Sequence, residues 1–160
     1  MAMNFSLPED YSKVNKVVIS GMGGSAIGGD LVSSLALSEA KLPIFVHRGY
    51  DLPAFVDAQT LVIASSYSGM TEETISSFEK ALRTESKRLV TTTGGKLKMM
   101  AEDRDVPVFS FDYQAQPRAA LVFSFLPILC FLQRLGFIKD KSADVAEAAQ
   151  VLQEIGRAHV

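Results

Sequence analysis

The sequence predicts an α/β protein, a three-layer α/β/α sandwich built around a five-stranded parallel sheet. Two observations carry this prediction: compact runs rich in β-branched and apolar residues recur along the chain, and segments with helical periodicity separate them. Compact apolar runs are typical of strands buried on both faces, and helices alternating with such strands require parallel pairing through right-handed crossovers. The length of 160 residues suits one such domain.

Five runs have the composition of buried strands, and helical segments lie between them. The strands are expected over Lys16 to Ser20, Pro43 to His47, Thr60 to Ser65, Arg88 to Thr92 and Val106 to Phe111. The helices are expected over Ser25 to Leu37, Thr71 to Arg83 and Leu97 to Glu102. Ile75, Phe78 and Leu82 recur at helical spacing, which predicts that one apolar face of their helix packs on the sheet.

A last helix is expected from Pro117 to Leu135. Proline is favourable at the first helical position, and Gly136 directly follows the last one. Pro127 lies inside the segment and should kink the helix. Because apolar residues cover most of its circumference, we expect this helix to be held from several sides.

Composition excludes several classes of protein. Sixteen basic residues against 18 acidic ones leave a formal charge of −2, too balanced for nonspecific nucleic-acid binding. The longest apolar stretch, from Ala119 to Leu132, is shorter than the roughly 20 residues that cross a bilayer, and the N-terminus fits neither a signal nor a transit peptide. The single cysteine, Cys130, lies in an apolar run and predicts a buried reduced thiol. We therefore expect a cytoplasmic protein without nucleic-acid or membrane partners.

A glycine cluster from Gly21 to Asp30 follows the first predicted strand directly and opens a helix. Glycines let backbone amides approach a ligand, and the start of a helix favours an anion, so a phosphate or a sugar hydroxyl would suit this place. The glycines are also compatible with a tight strand-to-helix turn, in which Gly28 and Gly29 allow the helix to pack closely on the sheet.

The same cluster spells a loose dinucleotide fingerprint, G-x-G-x-x-A. A nicotinamide site should place an acidic residue about 20 positions further on, where the sequence has His47, Arg48 and Gly49. Arg48 could meet a 2′-phosphate, so an NADP-binding domain stays open as an alternative. His47 ends a strand and is interpreted as structural.

A hydroxyl-rich turn from Ser65 to Thr74 follows the third predicted strand and also leads into a helix. Ser66, Ser68 and Thr71 could converge with free backbone amides on one tetrahedral anion, which predicts a phosphomonoester pocket. No lysine follows a glycine loop of Walker type, so triphosphate hydrolysis is not supported. Ser68 or Thr71 could instead cap the helix, a role compatible with binding.

Four segments together resemble the sugar isomerase (SIS) domain, specifically the N-terminal half of the bifunctional phosphoglucose/phosphomannose isomerases. They are Gly21 to Leu31, Ser65 to Thr74, Thr92 to Lys96 and Gln116 to Ala120, and the resemblance covers about residues 14 to 138. It implies a flavodoxin-like strand order with the ligand at the carboxyl ends of the strands. It also implies interconversion of aldose and ketose phosphates through an enediolate.

The resemblance assigns roles to individual residues. The phosphate would be held by Ser66, Ser68 and Thr71, and the sugar chain would be lined by Gly23, Gly24 and Ser25. Arg118 would stabilise the enediolate, which would also explain a cation in a first helical turn, where it opposes the helix dipole. Met70 stands where the family usually has Asn, so the turn lacks one local side-chain hydrogen bond.

The family's general base, its ring-opening His and a catalytic Lys would lie in a second SIS domain beyond this chain. We therefore expect the parent enzyme to convert glucose 6-phosphate and mannose 6-phosphate into fructose 6-phosphate as a homodimer, while this chain binds the sugar phosphate without turnover. No cofactor is needed. A metal site is not expected either, because the chain before residue 154 has one His and one Cys. A stand-alone SIS module that senses a sugar phosphate is the alternative of a different class.

Four parts are expected along the chain. Residues 1–13 form a lead, 14–138 the SIS domain, 139–153 the start of a helix leading to a missing second SIS domain, and 154–160 a tail. The tail breaks the preceding helical pattern and looks like translated sequencing-adapter sequence, so we interpret it as non-native. Glu147, before it, is interpreted as part of a solvated helix face.

Overall fold

A parallel sheet of five strands forms the centre of the computed structural model, which describes residues 4–113 and 120–158. The strands lie in the order β2-β1-β3-β4-β5, and each neighbouring pair is parallel. Their bounds are β1 Lys16–Ser20, β2 Ile44–His47, β3 Thr60–Ser65, β4 Lys87–Thr92 and β5 Val108–Ser110. The predicted fold class is confirmed, and so is the flavodoxin-like order that the resemblance implies.

Helices connect three of the four consecutive strand pairs, all but β2 and β3, and two more follow the last strand. They are α1 Gly23–Ala36, α2 Glu72–Ala81, α3 Gly95–Glu102, α4 Leu121–Arg134 and α5 Ser142–Ala158, and a short 3-10 helix spans Glu9–Lys13 before β1. Both α1 and α3 begin two residues earlier than expected, at a glycine. The first turn of a helix tolerates glycine because its amides have no intrahelical partner there, so the predicted starts at Ser25 and Leu97 were late.

The middle of the sheet is buried on both faces. All six residues of β3 are buried, and Val17, Val18 and Ile19 of β1 are fully buried. On one face, α2 packs its apolar side as predicted, with Phe78 fully buried and Ile75 nearly so. The buried central strands therefore place their carboxyl ends, and the loops that follow, at one edge of a rigid layer.

The other face of the sheet carries α1 and α4, which pack against each other. Gly28 of α1 makes a close approach possible, because a Cβ there would lie 2.6 Å from the Cβ of Ser124 in α4. Phe131 and Leu132 of α4 are fully buried in the main core, whereas Val122 is 51% exposed. The expected helix start at Pro117 lies outside the described residues, and α4 continues through Pro127, where the kink stays a prediction.

The last helix corrects one expectation. α5 continues past Glu154 and through Gly156 to Ala158, so the predicted break in the helical pattern was wrong. Val151, Leu152 and Ile155 continue one apolar stripe at helical spacing, and one glycine costs a helix only about 1 kcal/mol. The interpretation of residues 154–160 as a non-native tail stays a hypothesis.

Cys130 is half-buried, which corrects the expectation of a buried thiol. It lies on the side of α4 that lines a cavity of about 380 Å³, together with Phe109 and Phe111 from β5 and its end and Val145 from α5. Burial raises the pKa of the Cys130 thiol above its usual value. The thiolate is consequently the minor species at neutral pH.

We expect Cys130 to react with iodoacetamide more slowly at pH 8 than a free cysteine, and its rate to keep rising with pH beyond about 8.5, where an ordinary thiol levels off. A raised pKa delays formation of the reactive thiolate, which gives the sign of the effect. Alkylation followed by mass spectrometry from pH 7 to 10 measures the profile, with a cysteine-containing peptide as control. A Cys130 rate that reaches its plateau below that of the peptide would contradict the expectation.

Candidate functional site

Two loops meet at the carboxyl edge of the sheet. We call Gly21–Ser25, after β1, the glycine corner and Ser66–Thr71, after β3, the serine turn. A Cβ on Gly21 would lie 2.9 Å from the carbonyl oxygen of Ser65, so only glycine allows the loops to come this close. The amide of Tyr67 donates a hydrogen bond of 3.2 Å to the hydroxyl of Ser25. The two clusters that the sequence singled out are thus in direct contact.

Hydroxyl groups inside the serine turn are paired. The Oγ of Ser66 lies 3.0 Å from the Oγ1 of Thr71 and accepts a hydrogen bond of 3.1 Å from the amide of Gly69. Ser66 is almost fully buried, at 1% exposure, and Thr71 is half-buried. One hydrogen bond between two hydroxyls uses one of their two protons, so the pair retains a proton that it can donate to an anion.

Ser68 differs from its two neighbours because its side chain is exposed. Its Oγ accepts a hydrogen bond of 3.2 Å from the amide of Met70, a local turn contact. That bond does not use the hydroxyl proton of Ser68, which can rotate toward a ligand. All three predicted phosphate-binding side chains therefore belong to one turn, with two of them directly bonded and the third at its surface.

Neither α1 nor α2, which both start at this edge, is capped by a side chain. Thr71 occupies the N-cap position of α2 without making a cap hydrogen bond, and Met22 does the same at α1. The alternative that Ser68 or Thr71 caps the helix is therefore not observed: the Thr71 hydroxyl pairs with that of Ser66, and the Ser68 hydroxyl accepts from the Met70 amide. Amides in a first helical turn that lack a cap are available to an anion.

The glycine corner presents backbone rather than side chains. Gly23 is exposed with a φ of +51°, Gly24 is half-buried, and Ser25 is 7% exposed. The Oγ of Ser25 accepts from Tyr67, which leaves its own proton for donation across the corner. Gly23, Gly24 and Ser25 thus lie next to the serine turn, as the prediction for the sugar-lining residues requires.

A third loop, after β4, packs directly against the serine turn at Gly69. A Cβ on Gly69, which has a φ of +65°, would lie 1.8 Å from the carbonyl oxygen of Gly94. The amide of Leu97 donates to the carbonyl of Gly69 at 2.9 Å. The glycine pair Gly94-Gly95 after a predicted strand marked this loop in the sequence. The sequence did not show that the loop contacts the serine turn.

Sequence reasoning missed Tyr67 altogether. Besides its amide bond to Ser25, its carbonyl accepts hydrogen bonds from the amide (3.0 Å) and the hydroxyl (2.7 Å) of Thr93, after β4. Its phenol donates to the carbonyl of Tyr113, after β5, at 2.6 Å. A tyrosine between two serines carries no signal in the sequence, yet it connects three loops at this edge.

Other candidate residues lie apart from these loops or outside the described chain. Arg118 is outside the described residues, so its predicted role is an expectation. Arg48 forms an ion pair with Asp30 of α1, which neutralises the charge that an NADP 2′-phosphate would need. His47 contacts the carbonyl of Asp51 through its ring, in keeping with a structural role, and Glu147 is exposed on α5.

The first turn of α2 carries two carboxylates beside Tyr50, in the connection after β2. The Tyr50 hydroxyl lies 3.5 Å from a Glu72 oxygen, and the negative charge of Glu73 raises the pKa of the Tyr50 phenol. These carboxylates also suit the positive end of the helix dipole. Within residues 4–113 and 120–158, no group of three His, Cys, Asp or Glu side chains could hold a metal ion, and no helix has the length and apolar character to span a membrane.

Comparison with known proteins finds relatives along most of the chain. It is 45% identical over 152 residues to a bifunctional phosphoglucose/phosphomannose isomerase of Caldicellulosiruptor bescii, which covers 95% of this chain and 45% of that protein. A protein of the same name from Aquifex aeolicus is 37% identical over 142 residues, 88% of this chain and 43% of its own. A D-glucosamine-6-phosphate 4-epimerase of Sulfolobus acidocaldarius is 37% identical over 122 residues, 75% of this chain and 37% of its own.

The chain thus spans less than half the length of these curated relatives, and no family model matches it. Solved structures show the same fold. A phosphosugar isomerase candidate from Clostridium difficile matches with a TM-score of 0.64 at 16% identity over 91% of this chain and 44% of that one. A tagatose-6-phosphate ketose/aldose isomerase from Escherichia coli matches with a TM-score of 0.61 at 21% identity over 89% and 43%.

Proposed function

Since the chain belongs to the family of bifunctional phosphoglucose/phosphomannose isomerases, we propose that it is the phosphosugar-binding N-terminal domain of an aldose-ketose isomerase. Its substrates are glucose 6-phosphate and mannose 6-phosphate, and its product is fructose 6-phosphate. The observation that carries the proposal is the direct contact between the glycine corner and the serine turn at one edge of the sheet. One phosphorylated sugar can reach both.

The phosphate binds at the serine turn. The hydroxyl pair of Ser66 and Thr71 offers one proton, Ser68 offers another, and the uncapped start of α2 adds backbone amides with a favourable dipole. Each hydrogen bond from these donors to the phosphate is charge-assisted, and such a bond is stronger than one between two neutral groups. Met70 lacks the side-chain hydrogen bond of the Asn that the family usually has at this position. Its backbone amide remains in the turn and donates to the hydroxyl of Ser68.

The sugar chain lies across the glycine corner. Gly23 and Gly24 offer backbone groups without a side chain in the way, and the Ser25 hydroxyl can donate to a sugar oxygen. Arg118 stabilises the negative charge of the enediolate that forms when a proton moves between the first and second carbons. No cofactor takes part in this proton transfer.

Turnover requires groups that this chain does not supply. The general base, the ring-opening His and the catalytic Lys belong to a second SIS domain, in a cytoplasmic parent protein that forms a homodimer. Exposed apolar side chains on three helices support such a partner: Leu31 and Leu35 of α1, Val122 of α4 and Leu152 of α5 are 43%, 45%, 51% and 65% exposed. The chain alone binds the sugar phosphate and leaves it unchanged.

Thermal unfolding with a panel of ligands tests the proposal. Fructose 6-phosphate, glucose 6-phosphate and mannose 6-phosphate should each raise the midpoint by about 5 to 10 °C at 100 times their Kd, since that saturation adds about 2.7 kcal/mol. NADP should leave it unchanged. Ser68→Ala should reduce the shift, because the exposed hydroxyl is lost without damage to the core.

Ser12→Ala is the matched control, an exposed serine before β1 whose hydroxyl bonds only to the local carbonyl of Glu9 among the contacts described. Stabilisation by NADP alone would favour a dinucleotide-binding domain instead. Isomerase turnover by the 160-residue chain would contradict the assignment of the base to a second domain. A parent protein that binds these sugars but never interconverts them would favour a sensing module.

A further inference from the structure

The first turn of α3 packs against the serine turn and carries a lysine there. The backbone amide of Lys96, the second residue of α3, donates a hydrogen bond of 3.3 Å to the sulfur of Met70. Gly95 before it approaches so closely that a Cβ would lie 2.5 Å from the carbonyl oxygen of Ser68. The backbone of Lys96 is therefore fixed directly beside the serine turn, while its side chain is 56% exposed.

The ammonium group of Lys96 has a weak partner. It lies 3.5 Å from a carboxylate oxygen of Glu79 on α2, whose side chain is 43% exposed. Ion pairs between two exposed side chains add little to stability, because water screens the charges and both long chains lose freedom. A cation in the first turn of a helix also opposes the helix dipole. Lys96 can therefore exchange Glu79 for a more strongly charged anion at little cost.

The charges around the serine turn favour such a cation. The donors that the described part of the turn offers are hydroxyls and backbone amides, which carry no net charge. Glu72 and Glu73 follow Thr71 directly in the first turn of α2 and add two negative charges. A phosphate monoester itself carries a charge of about −1.5 to −2 at pH 7. These carboxylates repel it, and a nearby ammonium group would offset that repulsion.

We propose that Lys96 is a further phosphate-binding residue: on binding, its ammonium group leaves Glu79 and pairs with the phosphate at the serine turn. This inference rests on the proposed function, in which that turn holds the phosphate of the sugar. The flexible stem of lysine lets the ammonium group turn toward the phosphate without movement of the backbone. A dianion attracts it more strongly than a carboxylate does at the same distance, because the Coulomb energy scales with charge.

Two charge-neutralising variants test the proposal, because they should change the affinity in opposite directions. Lys96→Gln should lower the affinities for inorganic phosphate and for fructose 6-phosphate by the same factor, about fivefold in about 20 mM salt. Glu79→Gln should raise both affinities about twofold, because it frees the ammonium group. In about 0.5 M salt, the loss in Lys96→Gln should shrink below about twofold, since screening weakens exposed charge pairs. NMR titration of the 160-residue chain measures these affinities.

The ion pair between Lys98 and Glu102 is the matched control on the same helix. Its charged groups lie 3.8 Å apart, and Glu102 is the last residue of α3, at the end opposite the serine turn. Lys98→Gln and Glu102→Gln should each change the affinities less than about 1.5-fold. The double variant of Lys96→Gln with Glu79→Gln should bind as weakly as Lys96→Gln alone, because Glu79 acts through Lys96.

Three results would overturn the proposal. Equal losses in Lys96→Gln and Glu79→Gln would mean that the ion pair only holds α2 and α3 together. A gain from Glu79→Gln that persists in the double variant would mean that this carboxylate acts through its own charge. A loss confined to fructose 6-phosphate, with unchanged affinity for inorganic phosphate, would place Lys96 at the sugar instead.

Failure of the proposed function gives a different pattern. If the parent chain binds neither inorganic phosphate nor fructose 6-phosphate, both proposals fail. If it binds both and Lys96→Gln behaves like Lys98→Gln, the proposed function stands and the role of Lys96 fails. If it binds both equally well and Lys96→Gln weakens both, Lys96 binds phosphate, and the proposed function fails because the sugar adds no affinity.

Discussion

Gly28→Ala is expected to lower the free energy of unfolding by about 3 kcal/mol, which corresponds to a loss of roughly 6 to 12 °C in the midpoint. The added Cβ would lie 2.6 Å from the Cβ of Ser124 and 2.7 Å from its backbone carbon and oxygen. A backbone cannot move aside as a flexible side chain can. The helices α1 and α4 must separate instead, which loosens the packing of Phe131 and Leu132 beneath them.

Urea unfolding followed by circular dichroism measures this change, and the sequence offers a matched control. Gly156 lies in α5, and a Cβ there would meet nothing within 4 Å. Gly156→Ala should therefore stabilise the chain slightly or leave it unchanged, since alanine is the better helix former by about 1 kcal/mol. Equal stability of Gly28→Ala and the parent chain would show that the two helices do not approach this closely.

Gly69→Ala is expected to abolish most of the sugar-phosphate affinity, with a loss of at least about tenfold, and to destabilise the chain by more than about 1 kcal/mol. Gly69 has a φ of +65°, and its Cβ would lie 1.8 Å from the carbonyl oxygen of Gly94 and 2.8 Å from the hydroxyl of Thr92. Relief of this clash must displace the serine turn. The amide of Gly69, which bonds to Ser66, would move with it.

The control for Gly69→Ala is Gly136→Ala, which shares the unfavourable backbone angle without the clash. Gly136 has a φ of +77° after α4, and a Cβ there would meet nothing within 4 Å. It should cost about 1 kcal/mol of stability and leave binding unchanged. Calorimetric titration with fructose 6-phosphate compares the two variants. Retained affinity in Gly69→Ala would contradict a phosphate site at the serine turn.

Much of the fold could be predicted because local composition and burial agree along this chain. β3 is buried at every position, and its unbroken apolar run in the sequence shows the same thing. α2 was equally readable, since Ile75 and Phe78 lie on one helical face. Prediction failed where the local signal was misleading: Gly156 suggested a break in the helical pattern after Glu154, yet α5 continues to Ala158.

The sequence singled out the two loops of the candidate site but not the contacts between them, and the binding roles of their residues stay predictions. The sequence allowed us to choose Ser66, Ser68 and Thr71, because hydroxyls before a helix suit an anion. It could not show the hydrogen-bond partners or the exposure of each hydroxyl. The bond between Ser66 and Thr71 shows that Thr71 does not cap α2, whereas composition allowed either role. Tyr67 had no signal at all, because its partners lie 42, 26 and 46 positions away in the sequence.

The amino-acid sequence by itself determined the parallel α/β class and the helix faces, since both depend on residue types at short spacing, and its motifs carried the resemblance to the family. Only the tertiary structure decided that Gly21 touches Ser65 and that Tyr67 joins Ser25 to Tyr113. The physical reason is that these contacts follow from the strand order β2-β1-β3-β4-β5, which brings distant loops to one edge of the sheet. Periodicity indicates which face of a helix or strand is buried, but it does not indicate which loops lie next to each other.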